Sequence, residues 1–268
     1  MSGEPALLHQ YETGDAGERI RRALTEAGHD PDRLDPQALA LMEDFHSSGR
    51  LATAALLELA QLGAGDRVLD AGTGIGGTAR LIAQQYGCRV DAVDITPQYC
   101  EIAGWLNAAC GLDERIAVRQ ADVLALPYED NTFDAVFSQH VQMNIADKDG
   151  LYREARRVLR PGGRLALWDV VAGGGGDLKF PVPWSDGPAG SHLVTSEQLA
   201  SLLAQNDFET IAWNDLSEQS AAFMRVMLAN DLPPLGLHVF VPDFRVKAEN
   251  LVANLEEGRA GLVQAVLR

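Results

Sequence analysis

The sequence predicts an α/β fold built on a doubly wound, mostly parallel sheet. One observation is the alternation of short apolar runs with helical patterns. The runs are Arg67 to Ala71, Arg89 to Asp94, Ile116 to Ala121, Phe133 to Ser138 and Arg164 to Val171. Strands that alternate with helices pair in parallel, and right-handed crossovers place helices on both faces. The other observation is the turn that follows the first run, Gly72-Thr73-Gly74-Ile75-Gly76-Gly77, which passes into a helical pattern from Thr78 to Tyr86. Glycines adopt positive φ cheaply and let a ligand approach the backbone. A strand, a glycine turn and a helix in that order hold nucleotide-like ligands at the carboxyl edge of such a sheet.

The elements follow in order. Residues 1–50 are polar and helical in pattern, with turn signals at Gly28, Asp30-Pro31 and Asp35-Pro36, and read as an N-terminal helical cap of two or three helices. The remaining residues, 51–268, read as the main domain, opening with a helix from Leu51 to Leu62 and the turn Gly63-Ala64-Gly65-Asp66. Pro161-Gly162-Gly163 makes the turn before the fifth strand. Gly173 to Gly176 and the Pro- and aromatic-rich stretch Phe180 to Trp184 suggest a lid insertion at about 173–192, with the glycines either hinges or plain linker. Thr195-Ser196-Glu197-Gln198 is a capping-box start for a helix to Gln205. A strand is expected at Glu209 to Trp213, helices at Ser217 to Ala229 and Asp243 to Glu257, and a last strand at Leu237 to Val241, crowded by Pro233, Pro234 and Pro242.

Composition bounds the function. The chain has 268 residues, 46% of them hydrophobic, enough for one large domain with a cap. A formal charge of −16 argues against nucleic acid and, less strongly, against an anionic membrane surface. Cys88, Cys100 and Cys110 have no metal-ligand spacing, so no metal is expected, and with no secretory leader they suit a reducing cytoplasm. No apolar stretch is long enough to span a bilayer. The sequence leaves the oligomeric state open, a homo-oligomer included.

Gly72, Gly74 and Gly77 fit G-x-G-x-x-G, and Asp94 lies 94 − 72 = 22 residues on, at the end of the second strand. A carboxylate there suits the hydroxyls of a ribose, whichever nucleotide carries it. Asp70, two residues before the first glycine, favours a ligand with a positive end and would repel a pyrophosphate.

Here the chain resembles a class I S-adenosylmethionine-dependent methyltransferase. The motifs run in family order from Val68 to Gly77, through Val93-Asp94-Ile95-Thr96, Gln120-Ala121-Asp122-Val123 and Phe133 to Ser138, to Glu154 through Arg164. They span about Asp66 to Val171. Asp44 to Thr53 and Gln139 to Ile145 resemble segments of small-molecule enzymes related to sarcosine/dimethylglycine N-methyltransferases, with tocopherol- and quinone-type C-methyltransferases in the wider neighbourhood. The resemblance implies a Rossmann-like, seven-stranded sheet whose last strand is antiparallel and inserts between the two before it. It implies S-adenosyl-L-methionine as cofactor and S-adenosyl-L-homocysteine as product.

Carried onto this chain, the resemblance brings Asp70, Gly72, Thr73 and Gly74 to the methionine part of the cofactor. Asp94 would accept from the ribose, Ile95 would pack on the adenine, and Asp122 with Val123 would meet its amino edge. Ser138 and Gln139 follow the fourth strand on the cofactor side, and His140 is the candidate general base, since histidine titrates near neutrality. His46, Arg50, Met143, Trp184 and His192 are the acceptor-side candidates. Arg50 reads equally as a structural salt bridge, and Trp184 and His192 as ordinary packing. The expected activity is methyl transfer to N, O or C of a small organic acceptor. The alternative is a catalyst of this fold that binds the cofactor without transferring its methyl, such as a cyclase.

Overall fold

The computed structural model describes residue 11 and residues 14–40, 42–43 and 49–268. Seven strands form one sheet in the order β3-β2-β1-β4-β5-β7-β6. They are β1 (Arg67–Ala71), β2 (Arg89–Asp94), β3 (Ile116–Gln120), β4 (Phe133–Gln139), β5 (Leu159–Ala172), β6 (Thr210–Asp215) and β7 (Ala260–Leu267). β1 to β5 pair in parallel, while β7 runs antiparallel to both β5 and β6. The helices with described bounds are α1 (Ala16–Glu26), α2 (Gly49–Ala60), α3 (Gly77–Tyr86), α4 (Pro97–Ala109), α5 (Lys148–Val158), α6 (Ser196–Gln205), α7 (Ser217–Ala229) and α8 (Phe244–Glu256).

Successive strand residues point to opposite faces, so neighbours feed two cores. Leu69 and Val136 pack with α5 and α6 through Leu151 and Leu199, whereas Val68 and Phe137 pack with α2 and α3 through Leu56 and Ile82. Helix α1 buries Ile20 and Leu24, one helical turn apart, against Tyr99, Ile102 and Leu106 of α4. The cap therefore docks on the helix that follows β2.

The last strand lies elsewhere than expected. Leu237–Val239 is a single 3-10 turn, and β7 is Ala260–Leu267. β7 lies between two strands with both faces covered, and all but Gly261 of its residues are buried. Such a strand shows a continuous apolar run and no polar alternation to mark it. β5 also starts earlier than expected, pairing Leu159 with Phe133 before a register shift.

Residues 173–192 are fastened to the domain, and the glycine run is a contact, not a hinge. Gly173 N–H donates to Arg259 O at 2.9 Å and Gly175 N–H to Gly258 O at 2.8 Å. A Cβ on Gly173 would lie 2.1 Å from Gly258 O, and one on Gly175 2.1 Å from Glu257 O. Only residues without a side chain admit this approach. Further along, Asn254 holds both backbone groups of Lys179, Asn250 Nδ2 donates to Pro181 O at 2.8 Å, and Val182 and Trp184 are buried. No helix among the described residues is long and apolar enough to cross a membrane.

Gly175→Ala is expected to lower unfolding stability by about 1–3 kcal/mol, the range for overpacking. Urea titration reads it; a change within about 0.5 kcal/mol, as for an unconstrained surface position, contradicts the packing role.

Candidate active site

The chain reverses direction across the sheet at β1, whose neighbours are β2 and β4. The carboxyl ends of these strands open a crevice, the usual ligand position in such sheets. The glycine turn lies across it. The N–H groups of Gly72 and Thr73 both donate to Val93 O at 2.9 Å, which ties the turn to the end of β2.

The glycines do different work. Gly72 has φ +83°, and a Cβ there would lie 2.3 Å from Val141 Cγ2, so it makes room for the segment after β4. Gly77 makes room for the backbone of Glu43, 2.7 Å from where its Cβ would be. Gly74 has φ +54° and nothing within 4 Å of a Cβ, so this residue alone of the three faces open space.

Asp70 is buried beneath the turn and is not on the cavity wall. Its Oδ2 accepts from Thr73 Oγ1 at 2.6 Å. Burial raises its pKa to about 6, against the lowering effect of that bond and of the Ala79 backbone. Asp94 is on the wall. One oxygen accepts from Gly74 N–H at 2.8 Å and the other from Thr96 N–H at 2.9 Å. The Thr96 hydroxyl and the Ile95 N–H also hydrogen-bond to this carboxylate. Burial pushes the Asp94 carboxyl up from its ordinary value. Asp122 Oδ1 accepts from Leu124 N–H at 2.9 Å, closing the turn that presents Val123. Gln139 Nε2 donates to Thr78 Oγ1 at 2.7 Å, while its Oε1 is buried with no partner.

Arg80 and Glu43 brace the turn from behind. Arg80 Nε and Nη2 donate to Glu43 Oε2 at 2.9 and 2.6 Å, and Nη1 donates to Asn107 Oδ1 at 2.8 Å. The other Glu43 oxygen accepts from Arg50 at the start of α2.

The segment after β4 is held from both sides. Asp169 Oδ2 accepts from Val141 N–H and Gln142 N–H, each at 2.9 Å. Lys148 Nζ donates to Gln142 O and Ile145 O, and to His192 O at 2.6 Å. Burial raises Asp169 to about 6 and lowers Lys148 to about 8. His140 sits at φ +54°, its N–H donating to Trp168 O at 2.7 Å and its ring stacked on Trp168.

Two cavities result. The first is lined by the turn and by Asp94, Ile95, Asp122, Val123, Gln139 and His140. The second, about 390 Å³, is lined by α2, α7, α8 and the connection before α8, with His140 and Met143 at its inner end. His140 belongs to both walls. The first cavity has Asp94 and Asp122 on its wall and, among the described residues, no Lys or Arg, while the Glu43 carboxylate is paired with Arg80 and Arg50. A pyrophosphate would find no cation there, and a ligand with a positive end would find carboxylates.

A family model described as a methyltransferase domain matches residues 69–167, which carry β1 to β5. The matched stretch, less than half of the chain, marks a methyltransferase domain. The chain is 35% identical over 164 residues to methyltransferase GfsG of Streptomyces halstedii, covering 59% of this chain and 56% of that one. It is 40% identical over 111 residues to the sarcosine/dimethylglycine N-methyltransferase of Halorhodospira halochloris, covering 41% of this chain and 40% of that one. These matches thus span about half of each relative or less. In structure it is similar to the [4+2]-cyclase SpnF, with TM-score 0.68, 25% identity, and coverage of 97% of this chain and 95% of that one.

The structure brings Gly72, Thr73, Gly74, Asp94, Ile95, Asp122, Val123, Gln139 and His140 to one cavity. Asp70 and Ser138 lie outside it, buried below the turn and within β4. Arg50 and Met143 line the second cavity. Trp184 and His192 line neither. Trp184 is buried with Val182 and Leu251, its Nε1 donating to Ser191 Oγ at 2.9 Å, and His192 N–H donates to Met143 O at 2.8 Å. Their place in an aromatic-rich insertion suggested pocket walls, but the insertion turns these side chains inward or along the domain. His46 lies outside the described residues. Glu43, Thr78, Thr96, Tyr99 and Asn144 join the first cavity unannounced by the sequence. Tyr11 reaches it too and donates to Asn144 Oδ1 at 3.3 Å. No group of His, Cys, Asp or Glu among the described residues is arranged to hold a metal.

Asp70 carries a pH dependence. Its pKa is raised from 3.8 to about 6 in the folded state. The native state therefore keeps a proton that the unfolded chain has lost. The stabilisation is complete below about pH 4 and lost as pH rises through about 6, up to about 3 kcal/mol. Urea titrations across this range should show a smaller loss with rising pH for Asp70→Asn than for the parent protein; equal slopes contradict the assignment.

Proposed function

We propose that the protein transfers a methyl group from S-adenosyl-L-methionine to a small organic acceptor, across the junction of the two cavities at His140. The observation that carries this reading is that junction: an acidic chamber at the carboxyl edge of the sheet, with no Lys or Arg among the described residues on its wall, shares His140 with a largely apolar chamber. The residues fit the cofactor. Gly74 is open to the chamber, the Asp94 carboxylate on its wall suits ribose hydroxyls, and the unpartnered Gln139 Oε1 suits an ammonium donor. When bound, the cofactor supplies a methyl group already activated by sulfonium charge.

The chain's own task is to position and to exclude water. Holding acceptor and methyl group about 3–3.5 Å apart can supply about 7–11 kcal/mol of the barrier. His140, fixed by Trp168 and by its left-handed backbone, stands where an acceptor proton is to be received. The likeness to a [4+2]-cyclase over almost the whole chain supports a second reading, in which the chamber binds the cofactor and the apolar cavity folds a substrate without methylation. The charge of −16 disfavours nucleic acid as acceptor, and the free thiols Cys88, Cys100 and Cys110 suit a cytoplasmic enzyme.

Calorimetry should show S-adenosylhomocysteine bound and NAD unbound, with Asp94→Ala weakening S-adenosylhomocysteine at least about tenfold. Binding of NAD instead contradicts the donor assignment. In assays with methyl-labelled cofactor, label should appear in product, and His140→Ala should slow transfer about 10²–10⁴-fold with S-adenosylhomocysteine binding retained. Turnover to unlabelled product favours the cyclase reading.

A further inference from the structure

We infer that the acceptor is a bulky, uncharged, largely apolar alcohol, seated in the second cavity with its hydroxyl group at His140. This rests on the methyl-transfer reading above and narrows its substrate.

Size is the first argument. About 390 Å³ lies within the range that encloses drug-sized ligands and far exceeds an amino-acid-sized acceptor. The surface is the second. Met143, Met224, Met227, Phe223 and Leu251 form much of the wall, and methionines adapt to irregular apolar shapes. At the cavity's edge Leu51 is 71% exposed and Met227 38% exposed. A bound apolar molecule would take this surface out of water.

Charge is the third argument and selects among acceptor classes. Among the described residues on this wall the ionisable groups are Arg50, His140 and His238, and there is no carboxylate. An ammonium acceptor would shed its water and meet no anion. Arg50 is engaged by Glu43, and burial pushes the His238 imidazole below its ordinary value. A phosphate or diphosphate would therefore have one guanidinium, already paired, where anion sites use several charge-assisted donors. A neutral alcohol loses least on entering, and it brings a proton that His140 can take.

The step balances. The oxygen–methyl bond forms as the sulfur–methyl bond breaks, and the pair of electrons in that bond remains on sulfur. The hydroxyl proton passes to His140 and then to water.

The test uses the intact protein and four probes: geraniol, estradiol, geranyl diphosphate and sarcosine. Equilibrium dialysis in the presence of S-adenosylhomocysteine should show both alcohols bound at least about 30-fold more tightly than the diphosphate or the amine. Met227→Glu and, separately, Phe223→Glu should each weaken the alcohols at least about tenfold, because each places a carboxylate on the apolar wall. S-adenosylhomocysteine affinity, measured alone, should be unchanged in both variants, which reports on folding. It also tests the donor assignment independently, since the alcohols can be dialysed without it. Geranyl diphosphate or sarcosine binding as tightly as the alcohols overturns the inference. So does failure of both alcohols to bind, or alcohol affinity unchanged by both variants.

Discussion

The carboxylate of Asp169 and the ammonium of Lys148 hold the backbone between His140 and Ile145 from opposite sides. Asp169 takes the N–H groups of Val141 and Gln142; Lys148 takes the carbonyls of Gln142 and Ile145. Each charge is expensive in the interior, and each is shifted by burial toward its neutral form. They persist because they partner backbone groups of this irregular segment, the N–H groups of Val141 and Gln142 and the carbonyls of Gln142 and Ile145. The same lysine reaches His192 O, so the strap of residues 173–192 is tied to the segment as well. From this clamp follow the left-handed backbone of His140, the seat of Met143 in the apolar cavity and that of Asn144 in the first cavity.

The clamp also explains the glycine turn. Val141 occupies the space that a side chain on Gly72 would need, and Glu43 occupies that of Gly77. Two glycines of a motif usually read as ligand-binding are therefore spent on packing the chamber's own walls. Glu43 in turn joins the cap to Arg80 behind the turn and to Arg50 beside the second cavity. One carboxylate thus contacts the structures around both chambers. Removing one partner of a buried pair of this kind typically costs about 3–5 kcal/mol.

What was legible in the sequence follows from the range of the interactions involved. β1, β2 and α7 lie where local patterns place them, because a strand leading into a glycine turn and an amphipathic helix announce themselves within a few residues. The capping box at Thr195 is equally local and is present. β7 was hidden because a doubly covered strand has no alternation, and the Leu237 run is a 3-10 turn before α8. In the site, Asp94, Asp122 and Gln139 end strands or begin turns, and their position on the sheet edge is set by topology. Glu43 and Lys148 have no local signature: each has a partner far along the chain, Arg80 at 37 residues and His192 at 44. The glycine run at Gly173 shows the converse, a local signal of freedom that a distant backbone converts into close contact.

The central claim is that, in the proposed reaction, the clamped segment governs transfer geometry more than cofactor affinity. Single-turnover methyl transfer by Lys148→Met tests it, with S-adenosylhomocysteine affinity measured in parallel. Transfer is expected to slow at least about 100-fold, the size of effect that follows from about 1 Å of misplacement, while affinity stays within about threefold. A transfer rate equal to that of the parent protein would contradict the account.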